Sequence, residues 1–272
     1  MDKNLTIPKK IHYCWFGGNP LPESARKCIE SWKKYLPDYE IKQWNEDNFD
    51  VFSSRYSAQA YNAKKYAFVS DYARFKILYE EGGLYFDTDV ELIKNPDFII
   101  SKGPFMGCER NAAVATTPLE LSVAPGLGLG AFPRMGIYKE IIDKYEHSEF
   151  IDRAGKPNTS ETVVFITTKI LQKHGLKLTP EIQECAGLLI YPNDYFSPKD
   201  VDTKKTTITP NTVSIHHYDG TWAEWYDKAA GERGPKLKKL FGNKLGHKMN
   251  LYIYLLQKYG LVRLTKKIFH RT

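Results

Sequence analysis

Asp87-Thr88-Asp89 sets two carboxylates one residue apart, directly after the apolar run Leu84-Tyr85-Phe86. In an extended chain alternate side chains point the same way, so Asp87 and Asp89 are expected on one side and Thr88 on the other. Two close carboxylates repel each other unless a cation sits between or beside them. Hard oxygen ligands suit Mg²⁺ or Mn²⁺, and Mg²⁺ takes one or two carboxylates together with phosphate oxygens. The chemistry open to this pair is therefore to hold a metal that holds a diphosphate. Asp71 and Arg74, three residues apart, share a helical face. They form a local ion pair, or both point at a polar ligand.

The elements that must position these groups are legible around them. Ser70 is expected as an N-cap, with Asp71 in the first turn, where a carboxylate suits the helix dipole. Tyr72, Phe75 and Tyr79, beside Ile77 and Leu78, have helical spacing. Gly82-Gly83 stops the helix, since glycine takes the left-handed cap conformation freely. Leu84-Tyr85-Phe86 then reads as a short buried strand with the acidic pair at its C-terminal end, where open α/β sheets place ligands. Upstream, Ile11 to Phe16 reads as a first strand closed by Gly17-Gly18, Pro22 to Tyr35 as an amphipathic helix, and Asp38 to Trp44 as a second strand. Residues 58–67 read as a further helix. This β-α-β-α-β order argues for an α/β, doubly wound sheet.

Later in the chain, Phe105 to Cys108 reads as a strand and Ile137 to Tyr145 as a helix. Gly126-Leu-Gly-Leu-Gly130 lacks the strand–turn–helix context of a dinucleotide site and reads as a glycine-rich turn near the cleft. Thr159-Ser160 supplies a cap for a helix from about Glu161 to His174. Val213, Ile215 and His217 alternate on a late strand that Asp219-Gly220 turns. A neutral imidazole is a good Mn²⁺ ligand. His12, inside a buried strand, reads as a hydrogen-bonded structural histidine.

Asp87-Thr-Asp89 looks like the DXD motif of nucleotide-sugar glycosyltransferases. The longer run Ser70-Asp71-x-x-Arg74 with Gly82-Gly83-x-Tyr85-x-Asp87-x-Asp89 resembles glycosyltransferase family 32, as do the opening from Ile7 to Gly18 and the segment from Thr212 to Trp222. That family includes yeast mannosyltransferases and bacterial polysaccharide enzymes, and is related to clostridial glucosylating toxins. The resemblance implies a GT-A type fold with a mixed central sheet. It implies a retaining transferase that moves a hexose from a nucleotide diphosphate sugar. A UDP-hexose is preferred, galactose or glucose ahead of N-acetylglucosamine, with GDP-mannose open; the acceptor is a glycan or lipid-linked. By the same resemblance Tyr13, Trp15 and Phe16, with Gly17, line the base and ribose, and Tyr85 packs beside ribose or sugar. Asp71 and Arg74 bind sugar hydroxyls, or Arg74 neutralises phosphate. Asp89 and Asp87 hold Mn²⁺ or Mg²⁺ with a histidine, His217 first and His216 second. The rival readings are a toxin-like protein glucosyltransferase and a non-catalytic metal- or sugar-binding protein that keeps the fold.

The net charge of +7 is uneven: residues 231–272 carry eleven Lys/Arg and one acid, a balance of +10, which leaves −3 for residues 1–230. That asymmetry divides the expectation into a catalytic domain, 1–230, and a basic helical tail, 231–272. Lysines flanking apolar and aromatic residues at helical spacing suit a helix lying on an anionic membrane surface. No recognition module accompanies the charge, so nucleic acid is not an expected partner. Cys14, Cys28, Cys108 and Cys185 show no metal or redox spacing and read as reduced thiols. The first residues lack an apolar signal region, and no run is apolar enough to span a bilayer. The expected location is cytoplasmic, peripheral on the inner face of the cell membrane.

Overall fold

The alternation around Ile11 and Tyr13 produces β1 (Lys10–Cys14) in the computed structural model, which describes residues 6–109, 122–200, 205–220 and 225–269. The chain continues through α1 (Glu23–Tyr35), β2 (Glu40–Trp44), α2 (Arg55–Asn62), α3 (Tyr66–Glu81), β3 (Gly83–Tyr85) and β4 (Val90–Leu92). Then come α4 (Asp97–Ile100), β5 (Phe105–Gly107), β6 (Leu129–Ala131), α5 (Gly136–Glu146) and α6 (Val163–Lys173). The series closes with β7 (Gln183–Cys185), β8 (Leu188–Tyr191), α7 (Asn193–Phe196), β9 (Ser214–His216) and α8 (Trp225–Phe269).

Seven strands form one sheet in the order β2-β1-β3-β6-β5-β8-β7. β1 runs parallel to β2 and β3, and β5 parallel to β8; β6 and β7 pair antiparallel to their neighbours. This is the mixed α/β sheet expected. A separate two-stranded ribbon joins β4 to β9. The sheet divides the core into two clusters. Tyr13, Leu84 and Phe86 face α1 and its fully buried Trp32, whose indole N–H donates to the Val90 carbonyl at 2.8 Å. Cys14, Phe16 and Tyr85 face α3.

α3 begins at Tyr66, not at Ser70, and Lys65 precedes it. Ser70 sits inside the helix and its hydroxyl donates to the Tyr66 carbonyl at 3.2 Å. Burial decides this: Phe68 and Val69 pack into the core, which draws the helix five residues further upstream than capping chemistry suggested. α6 is likewise capped by Thr162, whose Oγ1 accepts from Phe165 N–H at 3.2 Å, rather than by Thr159 or Ser160.

His12 is fully buried and locked in one tautomer. Its Nε2–H donates to the Gly82 carbonyl at 3.0 Å, and its Nδ1 accepts from the Trp44 indole at 3.1 Å. Burial lowers its pKa to about 4, from 6.5. The unfolded chain therefore takes up this proton first. Stability from His12 is full above pH 6.5 and is lost as pH falls toward 4, a swing of about 3 kcal/mol. His12→Gln is expected to flatten that part of the unfolding free energy plotted against pH. A slope as steep as the wild type's would assign the acid lability elsewhere.

Internal contacts split the chain at Tyr218–Asp219, ahead of the Gly231 boundary expected from charge. In the second unit helical backbone runs Trp225–Phe269, yet the chain reverses within it. A straight helix would separate Arg233 from Gln257 by about 36 Å. Instead Arg233 Nη2 donates to Gln257 Oε1 at 3.2 Å, and Arg233 Nε donates to Asn250 Oδ1 at 3.0 Å. Asn250 Nδ2 donates to the Ala230 carbonyl at 2.9 Å. Gly242, with φ 76°, is the midpoint of these pairings. The arms touch backbone to backbone, since a Cβ on Gly246 would lie 2.5 Å from Leu237 carbonyl atoms. The tail is a helical hairpin.

Candidate active site

Arg74 is the centre of the site. It projects from the buried face of α3 with its side chain 4% exposed. Nη2 lies 3.0 Å from Asp71 Oδ1 and 3.2 Å from Asp87 Oδ1, Nη1 donates to Asp87 Oδ2 at 3.4 Å, and Nε donates to the Ser70 carbonyl. The guanidinium also stacks over the Tyr85 ring, 4.9 Å from its centroid, and Tyr85 OH donates to Asp87 Oδ1 at 3.1 Å. The i,i+3 spacing thus makes an ion pair, and the β3 strand end brings a second acid onto the same cation. Burial opposes the charge on Arg74, but Asp87, Tyr85 and Asp71 outweigh it and hold its pKa above the ordinary value. Burial pushes Asp71 up to about 7 against the pull of Arg74, and raises the Tyr85 hydroxyl well above its usual range. One cation against two acids leaves this cluster short of positive charge.

Asp87 and Asp89 do not follow strand alternation. Val90 N–H donates to the Asp87 carbonyl at 3.1 Å, so the motif is a turn and its two carboxylates engage different partners. Asp87 meets Arg74 and Tyr85, while Asp89 Oδ1 lies 3.1 Å from His216 Nε2. The histidine beside the acidic pair is thus His216. His217 bonds Glu91 at 2.8 Å through Nε2, and its backbone N–H donates to the Asp89 carbonyl. Register explains the difference from the order the resemblance implied: β9 places His216 opposite Val90, next to the turn that carries Asp89. Burial disfavours a charge on His216, but the bond to Asp89 outweighs this and raises its pKa. Its Nδ1 is buried with no hydrogen-bond partner among the described residues. The Tyr218 ring lies 4.1 Å from the His216 ring, and its hydroxyl shares a 2.7 Å hydrogen bond with Ser197.

Among the described residues no three His, Cys, Asp or Glu side chains converge as a metal cluster. Asp89 with His216, joined by phosphate oxygens, still fits the habits of a hard divalent ion, which takes few protein ligands. The adjacency of His216 Nε2 to the Asp89 carboxylate, an imidazole and a carboxylate within reach of one ion, is the observation that supports the fit.

The expected nucleotide-binding aromatics divide. Tyr13 is buried edge-on against Trp32, its hydroxyl donating to Gln43 at 2.8 Å, on the sheet face opposite Arg74. Phe16 is buried against Phe49. Only Trp15 of the three keeps surface, its indole N–H donating to the Asn19 carbonyl at 2.6 Å. Gly17, at φ 97°, donates its N–H to Glu46 at 2.6 Å.

Gly126 lies in a turn, as the sequence reading expected, and that turn abuts Asp87. Its carbonyl accepts from Asp87 N–H at 3.0 Å, and a Cβ there would fall inside the Asp87 carboxylate. Gly130 lies against the Phe105 ring in β6, so the glycine run passes from that turn into the central sheet. The pattern glycine-x-glycine at strand spacing was the available signal. Gly126→Ala is expected to push Asp87 off Arg74. Donor turnover should fall about 10²-fold while the thermal midpoint drops only a few degrees. Wild-type turnover in that variant would mean that Asp87 can move without consequence.

Residues 22–106 match the glycosyltransferase sugar-binding region containing the DXD motif. Over that region the chain is similar to the DXD glycosyltransferases of the family 32 type. It is 30% identical over 111 residues to inositol phosphoceramide mannosyltransferase 1 of Schizosaccharomyces pombe, covering 37% of this chain and 33% of that protein. It is 32% identical over 105 residues to an uncharacterized glycosyltransferase of Acanthamoeba polyphaga mimivirus, covering 36% and 42%. The chain therefore spans a third to two fifths of these relatives. Among solved structures the PaToxG glycosyltransferase is similar at a TM-score of 0.43 and 19% identity, over 61% of this chain and 69% of that one.

Proposed function

We propose that this protein is a retaining, metal-dependent glycosyltransferase that moves a hexose from a nucleoside diphosphate sugar to a glycan or lipid-linked acceptor. The observation that carries the reading is the shared cluster of Arg74, Asp71, Asp87 and Tyr85 beside the Asp89–His216 pair. Mn²⁺ or Mg²⁺ held by Asp89 and His216 would supply charge neutralisation to a departing diphosphate. Asp71 and Arg74 offer fixed acceptor and donor groups to sugar hydroxyls. Asp87, engaged by Arg74 and Tyr85, would act on the donor through that cluster rather than as the ion's main ligand. Trp15 offers the accessible ring face for a base. The two carboxylates and the buried cation are already placed, so little reorganisation is needed on binding.

A uridine diphosphate hexose follows from the family resemblance. A mannosyl donor and a lipid acceptor gain support from the yeast relative, which is named for mannosyl transfer and inositol phosphoceramide. A panel of UDP-glucose, UDP-galactose and GDP-mannose separates them, assayed for hydrolysis with Mn²⁺ and then with chelator. Cleavage of one donor only in the presence of metal is the expected result. Metal-independent binding of all three, or of none by calorimetry, would favour a non-catalytic protein that keeps the fold.

A further inference from the structure

The hairpin at the end of the chain has a distinctive tip. Leu240 is 74% exposed, Phe241 47% and Leu245 53%, on either side of the Gly242 reversal. Apolar side chains of this size rarely stay together in water without a partner. Lys236, Lys238, Lys239, Lys244 and Lys248 are exposed around them, and residues 235–257 contain no acid. Apolar residues at the apex with cations behind them match a lipid boundary, where lysine stems run along apolar surface and ammonium groups reach the headgroups. A nucleic-acid site would instead put charge at the apex and stacking rings along a groove. No described helix is long and apolar enough to cross a membrane, so the contact is peripheral.

We propose that the hairpin docks tip-first on an anionic bilayer, with Leu240, Phe241 and Leu245 entering the headgroup–acyl boundary and the five lysines pairing with lipid anions. This differs from a single helix lying flat, because the reversal at Gly242 gathers the apolar and basic groups at one end. It stands independently of the glycosyl-transfer reading. Leu251, Tyr252 and Leu256, exposed further along the second arm, serve as an internal control.

The test is flotation of the full-length protein with phosphatidylcholine vesicles, with and without about a third phosphatidylserine, at about 0.1 M salt. Wild type is expected to float with the anionic vesicles only. Leu240→Ser with Phe241→Ser should lower partitioning about tenfold. Lys238→Gln with Lys239→Gln should lower it about tenfold or more, each charge being worth roughly fivefold. Leu251→Ser with Tyr252→Ser should change it less than about twofold. Phe241→Trp should show a blue-shifted emission on anionic vesicles. Circular dichroism and donor binding should match wild type in every variant, because all these side chains are exposed. The proposal is overturned if wild type floats equally on neutral vesicles or not at all. It is also overturned if the arm variant loses binding while the tip variant keeps it, or if the tip variant only converts an oligomer to a monomer.

Discussion

Asp89→Asn is expected to keep the fold and lose donor turnover by about 10²–10³-fold. Asparagine matches aspartate in shape and can still meet His216, whose Nε2 lies 3.1 Å from the carboxylate, so packing is preserved. What disappears is the negative charge that would hold a divalent ion against a diphosphate. His216→Ala should follow Asp89→Asn, since the imidazole sits on that carboxylate. His217→Ala should stay within about threefold of wild type, because its ring is spent on Glu91 at the ribbon surface. Unchanged turnover in Asp89→Asn, with dichroism intact, would remove the metal site. A loss in His217→Ala but not in His216→Ala would restore the histidine order that the family resemblance implied.

Arg74→Met should destabilise the fold by about 3–5 kcal/mol, because it strands Asp71 and Asp87 without their cation. Methionine keeps much of the volume, so the loss reports charge rather than a cavity. Asp71 already titrates near 7 with Arg74 beside it. Without Arg74 its folded pKa rises further, and the folded state holds a proton that the unfolded chain, with a value of 3.8, releases. This contribution to stability therefore falls as pH rises from about 4 through neutrality, so the variant should recover part of its loss near pH 5. Urea unfolding at pH 5 and pH 8 reads the difference. Adding Asp71→Asn to Arg74→Met should restore more stability than Asp71→Asn gives in wild type, a coupling that a double-mutant cycle measures. Additive effects would mean that the two groups do not share a charge balance.

These outcomes also separate what was local from what was not. Residue spacing by itself put Asp71 and Arg74 on one helical face, because i,i+3 on a helix is a local rule, and the structure chose the ion pair. It determined the helix stop at Gly82, the short strand that follows, the stripe of α1 that buries Trp32, and the acidic motif with its family resemblance. The α/β class followed from the order of those elements, and the mixed sheet from the family resemblance. Only the tertiary structure decided what depends on partners distant in the chain. Asp87 and Asp89 diverge because a turn closes between Asp87 and Val90, and because Gly126, thirty-nine residues on, gives Asp87 room. His216 displaces His217 because the ribbon between β4 and β9 has a particular register, and a shift of one residue exchanges the two faces. Tyr13 faces α1 rather than the site because strand alternation sends it to the Trp32 side of the sheet. The basic tail folds back at Gly242 because two arms can pack where glycines let backbones touch, a contact no periodicity within one helix encodes.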